Sequence, residues 1–446
     1  MVKLTSTERD VLVTGMGFCL PGENKSVCRT PDQFWETISA GKSHLDNDGF
    51  FVGQVFLSDD QFSETVPEIP KRYLRNYADV HRYGLLSLVE ACNDASFDWR
   101  SGELQDAAVL TARVGVDNSF DTYLACMQAD PNSVDSHEAR SLFTRLAVSV
   151  TATDVANVQA SLLGNGGPNY TVSCGCASSA ALIGVAANMI SSGEVEVAVL
   201  TGVDAFDFNR IQHFEDLKAV ARATGEQATH PAPETKLLWD RPMRPYDENA
   251  GGFNIGEGSA TLILESREHS RRRGAEAYGR VLGQATTRGK AQSALTVDES
   301  GEPLVRAAEK CLRGDGVRGQ VNPADIGYVN GGAEGDPLFN NIEFNGVRTI
   351  FGDHTENVVV SSQEGCFGHN AAPLGSIGAA ATMLMIRNGA AAPTTNCLKA
   401  SPESPFQIVD GDGPQPLDFE FALSFNYQIG GLSSALLLGT PDCGVR

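Results

Sequence analysis

The stretch TVSCGCASSA, residues 171–180, sets two thiols, Cys174 and Cys176, two positions apart between a β-prone run and a long segment of small apolar residues. A thiolate is a nucleophile, and covalent acyl transfer is chemistry it performs. The segment that follows, ASSAALIGVAANMISSG, is small or apolar all round, the pattern of a helix buried on every side. Such a helix would begin at Cys176, where free backbone N–H groups and the positive end of the helix dipole favour a thiolate and hold a developing oxyanion. Cys174 would still lie on the strand or in the turn. Free cysteine is also a common core residue, so position alone leaves a packing role open for both.

The elements that must position these thiols read as α/β. Strand-like runs (VLVTG, AAVLTARVGV, EVEVAVLTG and ATLILES early; IGYVNGG, NVVVSS and ALLLG late) alternate with small-residue helical runs. Residues 169–193 give a strand, the turn SCGC, an alanine-rich helix and a closing Ser-Ser-Gly. Residues 356–389 repeat that plan with VVVSS, EGCFGHN, an alanine-rich helix and Arg-Asn-Gly, which predicts two similar halves. After LILES the composition turns charged (REHSRRRGAEAYGR), placing the boundary near 267, with halves 1–267 and 268–446 packed as one rigid body. Three prolines among polar residues make 222–243 an irregular loop.

Against 34 Lys and Arg stand 56 Asp and Glu, a formal charge of −22. That field repels nucleic acid, and an acidic carrier protein as well, unless a local basic patch intervenes. Two clusters qualify: KRYLR (Lys71, Arg72, Arg75) with Arg82, and REHSRRR (Arg267, Arg271, Arg272, Arg273); solvated helix faces would look the same. Ten cysteines without metal-like spacing imply reduced thiols, no bound metal and no cofactor. The apolar runs near 180–190 and 372–386 fall short of about 18 uninterrupted residues, so no membrane span is expected. The charged start MVKLTSTERD lacks a secretory signal, and a cytoplasmic location is expected.

Several segments together resemble the β-ketoacyl-acyl carrier protein synthases, the ketosynthases of fatty-acid and polyketide assembly. They are VLVTGMGFCLPG, GPNYTVSCGCASSAALIGVAANMISSGEVEVAVLTGVDA, RPYDENAGGFNIGEG, NIEFNGVRTIFG, SSQEGCFGHNAAPLGS and FNYQIGG, spread from about residue 10 to 440. The resemblance implies a thiolase-like fold, two similar halves in a five-layer α-β-α-β-α sandwich. It also implies the nucleophile, because the family's cysteine precedes the glycine closing its helix by seventeen residues, the interval from Cys176 to Gly193. His369 in CFGHN stands where the family has its second histidine. The family's oxyanion hole uses the backbone N–H of the nucleophile and of a residue in a Gly-Phe-Gly-Gly turn, here Gln428, Ile429, Gly430 and Gly431, with Ile429 gating the acyl pocket. Phe367, Gln428, Ile429 and Gly430 are accordingly expected to bind substrate. The family pairs through the strand beside the nucleophile segment, which points to EVEVAVLTGV as the dimer edge.

The family's first histidine is absent: YVNGGAEGDP has Gly332 in its place, and His354 follows TIFG in a surface loop. A lysine five residues before the second histidine is replaced by Glu364. With Glu343, Glu334 and Asp336, up to four carboxylates could surround the pocket and raise one another's pKa, making Glu334 and Glu364 candidate acid–base groups beside Cys176 and His369. Acyl loading is expected to survive and decarboxylative condensation to suffer. The implied function is an acyltransferase or condensing enzyme that takes an acyl group from an acyl carrier protein onto Cys176 and passes it to an acceptor, as a homodimer or as a heterodimer with another ketosynthase-like subunit. A non-catalytic partner of the chain-length-factor kind is the alternative, and a coenzyme A-dependent thiolase-type enzyme a third reading.

Overall fold

The computed structural model describes residues 9–114, 119–149, 154–209, 211–213, 216, 235–290, 296–314 and 320–444. Residues 1–8 and the 222–234 part of the proline-bearing segment lie outside the described residues; 235–243 carries no helix and no ladder beyond the bridge of Leu237 with Phe253.

Five strands make the first half's sheet: β1 (Val11–Pro21), β2 (Ala108–Ala112), β3 (Asn169–Val172), β4 (Val197–Asp204) and β5 (Gly258–Ser266), in the order β1-β5-β4-β2-β3. Five more form the matching part of the second: β6 (Gly279–Arg288), β7 (Ile326–Asn330), β8 (Val359–Ser361), β9 (Phe421–Gln428) and β10 (Leu432–Gly439), in the order β6-β10-β9-β7-β8, with the two-residue strand Gln407–Ile408 added outside β8. The two orders match strand for strand, with the same parallel and antiparallel pairings. The sheets are joined where β1 pairs with β6 over Val11–Val13. Burial on both faces explains why β1, β4 and β5 read as nearly unbroken apolar runs.

Six helices complete the layers: α1 (Asp79–Asp94), α2 (Asp154–Leu163), α3 (Ser178–Ser192), α4 (Glu302–Leu312), α5 (Pro337–Phe351) and α6 (Leu374–Asn388). α1 and α2 cover the outer face of the first sheet, α4 and α5 that of the second, and α3 and α6 lie together between the sheets. This is the α-β-α-β-α sandwich. The central pair touches so closely that a Cβ on Gly375 would lie 2.2 Å from the Ala180 nitrogen. α3 is apolar enough by composition to match a membrane span, but it is largely buried in this central layer. Each ends on a left-handed glycine, Gly193 (φ 79°) and Gly389 (φ 59°), which fixes the spacing back to the turn before each helix.

The expected dimer edge needs correction. EVEVAVLTGV contains β4, which lies between β2 and β5 with all eight residues buried. Interior position, not a covering partner, accounts for its apolarity. The edge of this sheet is β3, half-buried along its length and running directly into Cys174.

Candidate active site

β3 enters the turn Ser173–Ala177, and Gly175 at its centre has φ 58°, a conformation that favours glycine. The Ala177 N–H donates to the Cys174 carbonyl (3.3 Å) and the Ser178 N–H to that of Gly175 (3.0 Å). The Cys174 N–H donates to Ser178 Oγ at 2.7 Å. Cys174 thus serves the turn through its backbone, and burial raises its thiol pKa. Cys176 follows, immediately before Ala177, the N-cap of α3.

The facing half delivers His369 on the segment after β8. A short helix, Glu364–Phe367, leads through Gly368 (φ 80°) to the histidine. Its backbone is clamped on both sides: the His369 N–H donates to the Asn254 carbonyl (2.8 Å), and the Gly256 N–H donates to the His369 carbonyl (3.0 Å). Asn254 is itself fully buried, its amide donating to the carbonyls of Phe51, Leu238 and Arg241. The Phe253 ring stands edge-on to the imidazole at 5.3 Å.

These supports place His369 Nε2 2.9 Å from Cys176 Sγ. On the other side of the ring, Nδ1 lies 2.8 Å from Glu364 Oε2 and 2.9 Å from Glu334 Oε2. Burial opposes a proton on His369, but the Cys176 thiolate, then Glu334 and Glu364, outweigh it and hold the pKa well above the ordinary histidine range. Burial lifts the Glu334 pKa; His369 pulls it back and Glu364 pushes it further up. The Nδ1, Glu334 and Glu364 atoms lie within 4.8 Å of one another, the one set of metal-ligand size among the described residues.

The four carboxylates divide into two pairs. Glu334 and Glu364 meet at His369. Asp336 instead caps α5, accepting from the N–H groups of Leu338 and Lys236, both at 3.0 Å. Glu343 is fully buried and accepts from Tyr427 Oη (2.9 Å), from the Gly332 N–H (2.7 Å) and from Tyr246 Oη. His354 lies exposed on the Gly352–Asn357 turn.

Gly332 does not leave a vacant histidine site. A Cβ there would lie 2.5 Å from the Phe425 carbonyl oxygen and 3.2 Å from the Tyr427 ring. Gly332→Ala is therefore expected to cost about 1–3 kcal/mol, seen by calorimetry as a lowered melting temperature; an unchanged melting temperature would mean that the Phe425 strand yields freely.

Of the other expected substrate contacts, Gln428 packs its side chain against Gly175, within 2.5 Å of where a Cβ would stand. Ile429 is half-buried on the β9–β10 turn, where Gly430 and Gly431 have φ 95° and 81°. The Gly430 N–H is already committed to the Thr296 carbonyl at 2.8 Å, so it is not an oxyanion donor. Phe367 is corrected from pocket wall to core: it is 1% exposed and stacks on Phe34 at 5.6 Å. Tyr246, Tyr427 and Asn254 were not anticipated. Tyr246 carried a signal, since the resembled block has Phe there and only the added hydroxyl reaches Glu343.

Buried carboxyls also set a pH dependence. Burial raises Glu343 to about 7 and Glu257 to about 8, from 4.5. The folded chain then keeps protons that the unfolded chain releases above 4.5, so stability falls as pH rises through that window. Glu265 is opposite in sign: despite burial, Arg273, His269 and Thr14 hold it at about 2, and its contribution is lost as pH falls from 4.5 toward 2. The melting temperature should peak near pH 5 and decline by several degrees toward pH 8.5, and Glu343→Gln should flatten the decline. A melting temperature that rises across that range would contradict these assignments.

Residues 8–270 match the family model of the β-ketoacyl synthase N-terminal domain, and residues 278–398 that of its C-terminal domain. The chain belongs to the β-ketoacyl synthase family. It is 26% identical to the 3-oxoacyl-[acyl-carrier-protein] synthase 2 of Staphylococcus aureus strain COL, over 98% of that protein and 97% of this chain. Among solved structures, it superposes on the ishigamide ketosynthase/chain length factor with a TM-score of 0.75 at 20% identity, covering 97% of this chain and 99% of that one. It superposes equally broadly (97% and 99%) on a type II polyketide synthase acyl carrier protein complex with its ketosynthase, bound to the hexaketide, with a TM-score of 0.74 at 20% identity.

Proposed function

We propose that this β-ketoacyl synthase homologue takes an acyl group from an acyl carrier protein onto Cys176 and passes it to a protic acceptor, as an acyltransferase or condensing enzyme of polyketide-type assembly. The observation that carries this reading is the 2.9 Å contact between Cys176 Sγ and His369 Nε2. The thiolate attacks the carrier thioester. Backbone N–H groups at Cys176 and in the Gln428–Gly431 turn receive the oxyanion, and the carrier thiol leaves. Acylation removes the thiolate, the largest contribution holding the proton on His369. Nδ1–H remains directed at the carboxylates, and Nε2 is free to take the acceptor's proton.

Decarboxylation of a malonyl thioester asks for something else: preorganised donors on the enolate oxygen. Phe425 and Tyr427 fill the space at Gly332, and Glu334 and Glu364 oppose a second carboxylate. Losing one preorganised donor costs about 10²–10³ in rate. The same losses favour the alternative, a chain-length-factor-like partner, while the intact Cys–His contact favours the enzyme.

A carrier protein needs a basic landing site. Arg267, Arg271, Arg272 and Arg273 are all paired with carboxylates of this chain. Arg72 and Arg75 are exposed and have no ion pair among the described residues, so the KRYLR cluster is the better candidate. Pairing with a second ketosynthase-like chain would use the β3 edge.

Incubation with acyl carrier thioesters, followed by intact-mass measurement and peptide mapping, tests the reading. One acyl group per chain, on Cys176, is expected. A protein that loads none of a broad acyl series is the partner subunit instead.

A further inference from the structure

The acceptor must reach the thioester carbon on Cys176 and give its proton to His369 Nε2, so the charges around that ring decide which acceptors enter. Two carboxylates crowd its far side. Glu334 and Glu364, 3% and 8% exposed, place Oε2 atoms 2.9 and 2.8 Å from one Nδ1. Nδ1 has a single hydrogen. Glu364 receives it in good hydrogen-bond geometry. The one partner of Glu334 among the described residues is that same ring, and no lysine or arginine side chain among them pairs with either carboxylate. A buried carboxylate with half a share of one donor is an unfavourable state that a ligand cation relieves.

Resting on the acyl-transfer reading above, we infer that the acceptor is a primary amine, which enters as its ammonium toward Glu334 and Glu364, and that the product is an amide. The ammonium, drawn in by the charge of the two carboxylates behind the ring, gives one proton to water. The amine lone pair forms the C–N bond to the thioester carbon. His369 Nε2 takes the second proton from nitrogen, the C–S bond breaks, and its electron pair leaves with Cys176 as the thiolate. The imidazolium again faces the thiolate. A malonyl carboxylate is repelled by the same pair, and an alcohol gains nothing from it.

The test starts from wild-type protein acylated with an N-acetylcysteamine thioester and freed of reagent, with the acyl group located on Cys176 by mass. Failure to load counts against the acyl-transfer reading itself. Discharge of the loaded fraction is then followed with ethylamine, the neutral amine methoxyamine, ethanol and malonyl-N-acetylcysteamine. Ethylamine should discharge the enzyme at least about 10-fold faster than ethanol or the malonyl thioester, releasing the ethylamide. Glu334→Gln, measured on its own loaded fraction, should lower the ethylamine-to-methoxyamine rate ratio about 10-fold. Discharge by ethanol, malonyl thioester or water as fast as by ethylamine overturns the inference, as does an unchanged ratio in Glu334→Gln or a loaded enzyme that ethylamine leaves intact. Stoichiometric binding of Zn²⁺ or Mn²⁺ that Glu334→Gln abolishes would also overturn it, by assigning the carboxylates to a metal cation.

Discussion

Cys176→Ala is expected to abolish covalent acyl loading, with no acyl mass on the protein after a time that saturates the wild type. The only other thiol in the turn, Cys174, does not substitute. Its N–H is bonded to Ser178 Oγ, burial raises its pKa, and the histidine contact belongs to Cys176. Cys174→Ala should therefore still load. Intact-mass analysis of both variants checks this, and an acyl adduct on Cys174 that persists in Cys176→Ala would sink the assignment.

His369→Ala should slow turnover to acceptor by about 10² or more, the usual contribution of a positioned acid–base group. Loading is affected too, because the imidazole Nε2 sits directly against Cys176 Sγ at 2.9 Å. Removing it also strips Glu334 and Glu364 of their shared donor. Loading should then slow as well, because the ring that faces the attacking thiol is gone. Single-turnover loading and discharge, each followed by mass across pH, separate the two effects. Loading and discharge both within about two-fold of wild type would show that the Nε2 contact has no chemical role.

What was legible in the sequence follows a physical line. Cys176 and His369 sit in contiguous motifs beside helices that end on left-handed glycines, so local spacing carries their positions. The repeated strand–turn–helix plan gave the two matched sheets for the same reason. The environment of Glu334 was not legible, because its path depends on close approaches far apart in the chain. Gly331 runs under Tyr246 and Gly332 under the Phe425 carbonyl, which turns Glu334 inward rather than to solvent. β3 and β4 were confused as edges because burial between strands and burial by a partner select the same apolar residues. Asp336 did carry a readable signal, an acidic residue directly before a proline that opens a helix, which marks an N-cap rather than a catalytic carboxylate.

We propose that this site keeps acyl transfer and has lost efficient decarboxylation. The direct measurement is carbon dioxide release from malonyl carrier protein labelled in the free carboxyl, made on the wild-type protein beside acyl loading in the same preparation. Full loading of Cys176 is expected, with label release slower than an ordinary ketosynthase's condensation turnover by about 10² or more. Release at a rate matching that turnover would contradict it, and would mean that Glu334 or His369 stabilises the enolate despite the missing histidine at Gly332.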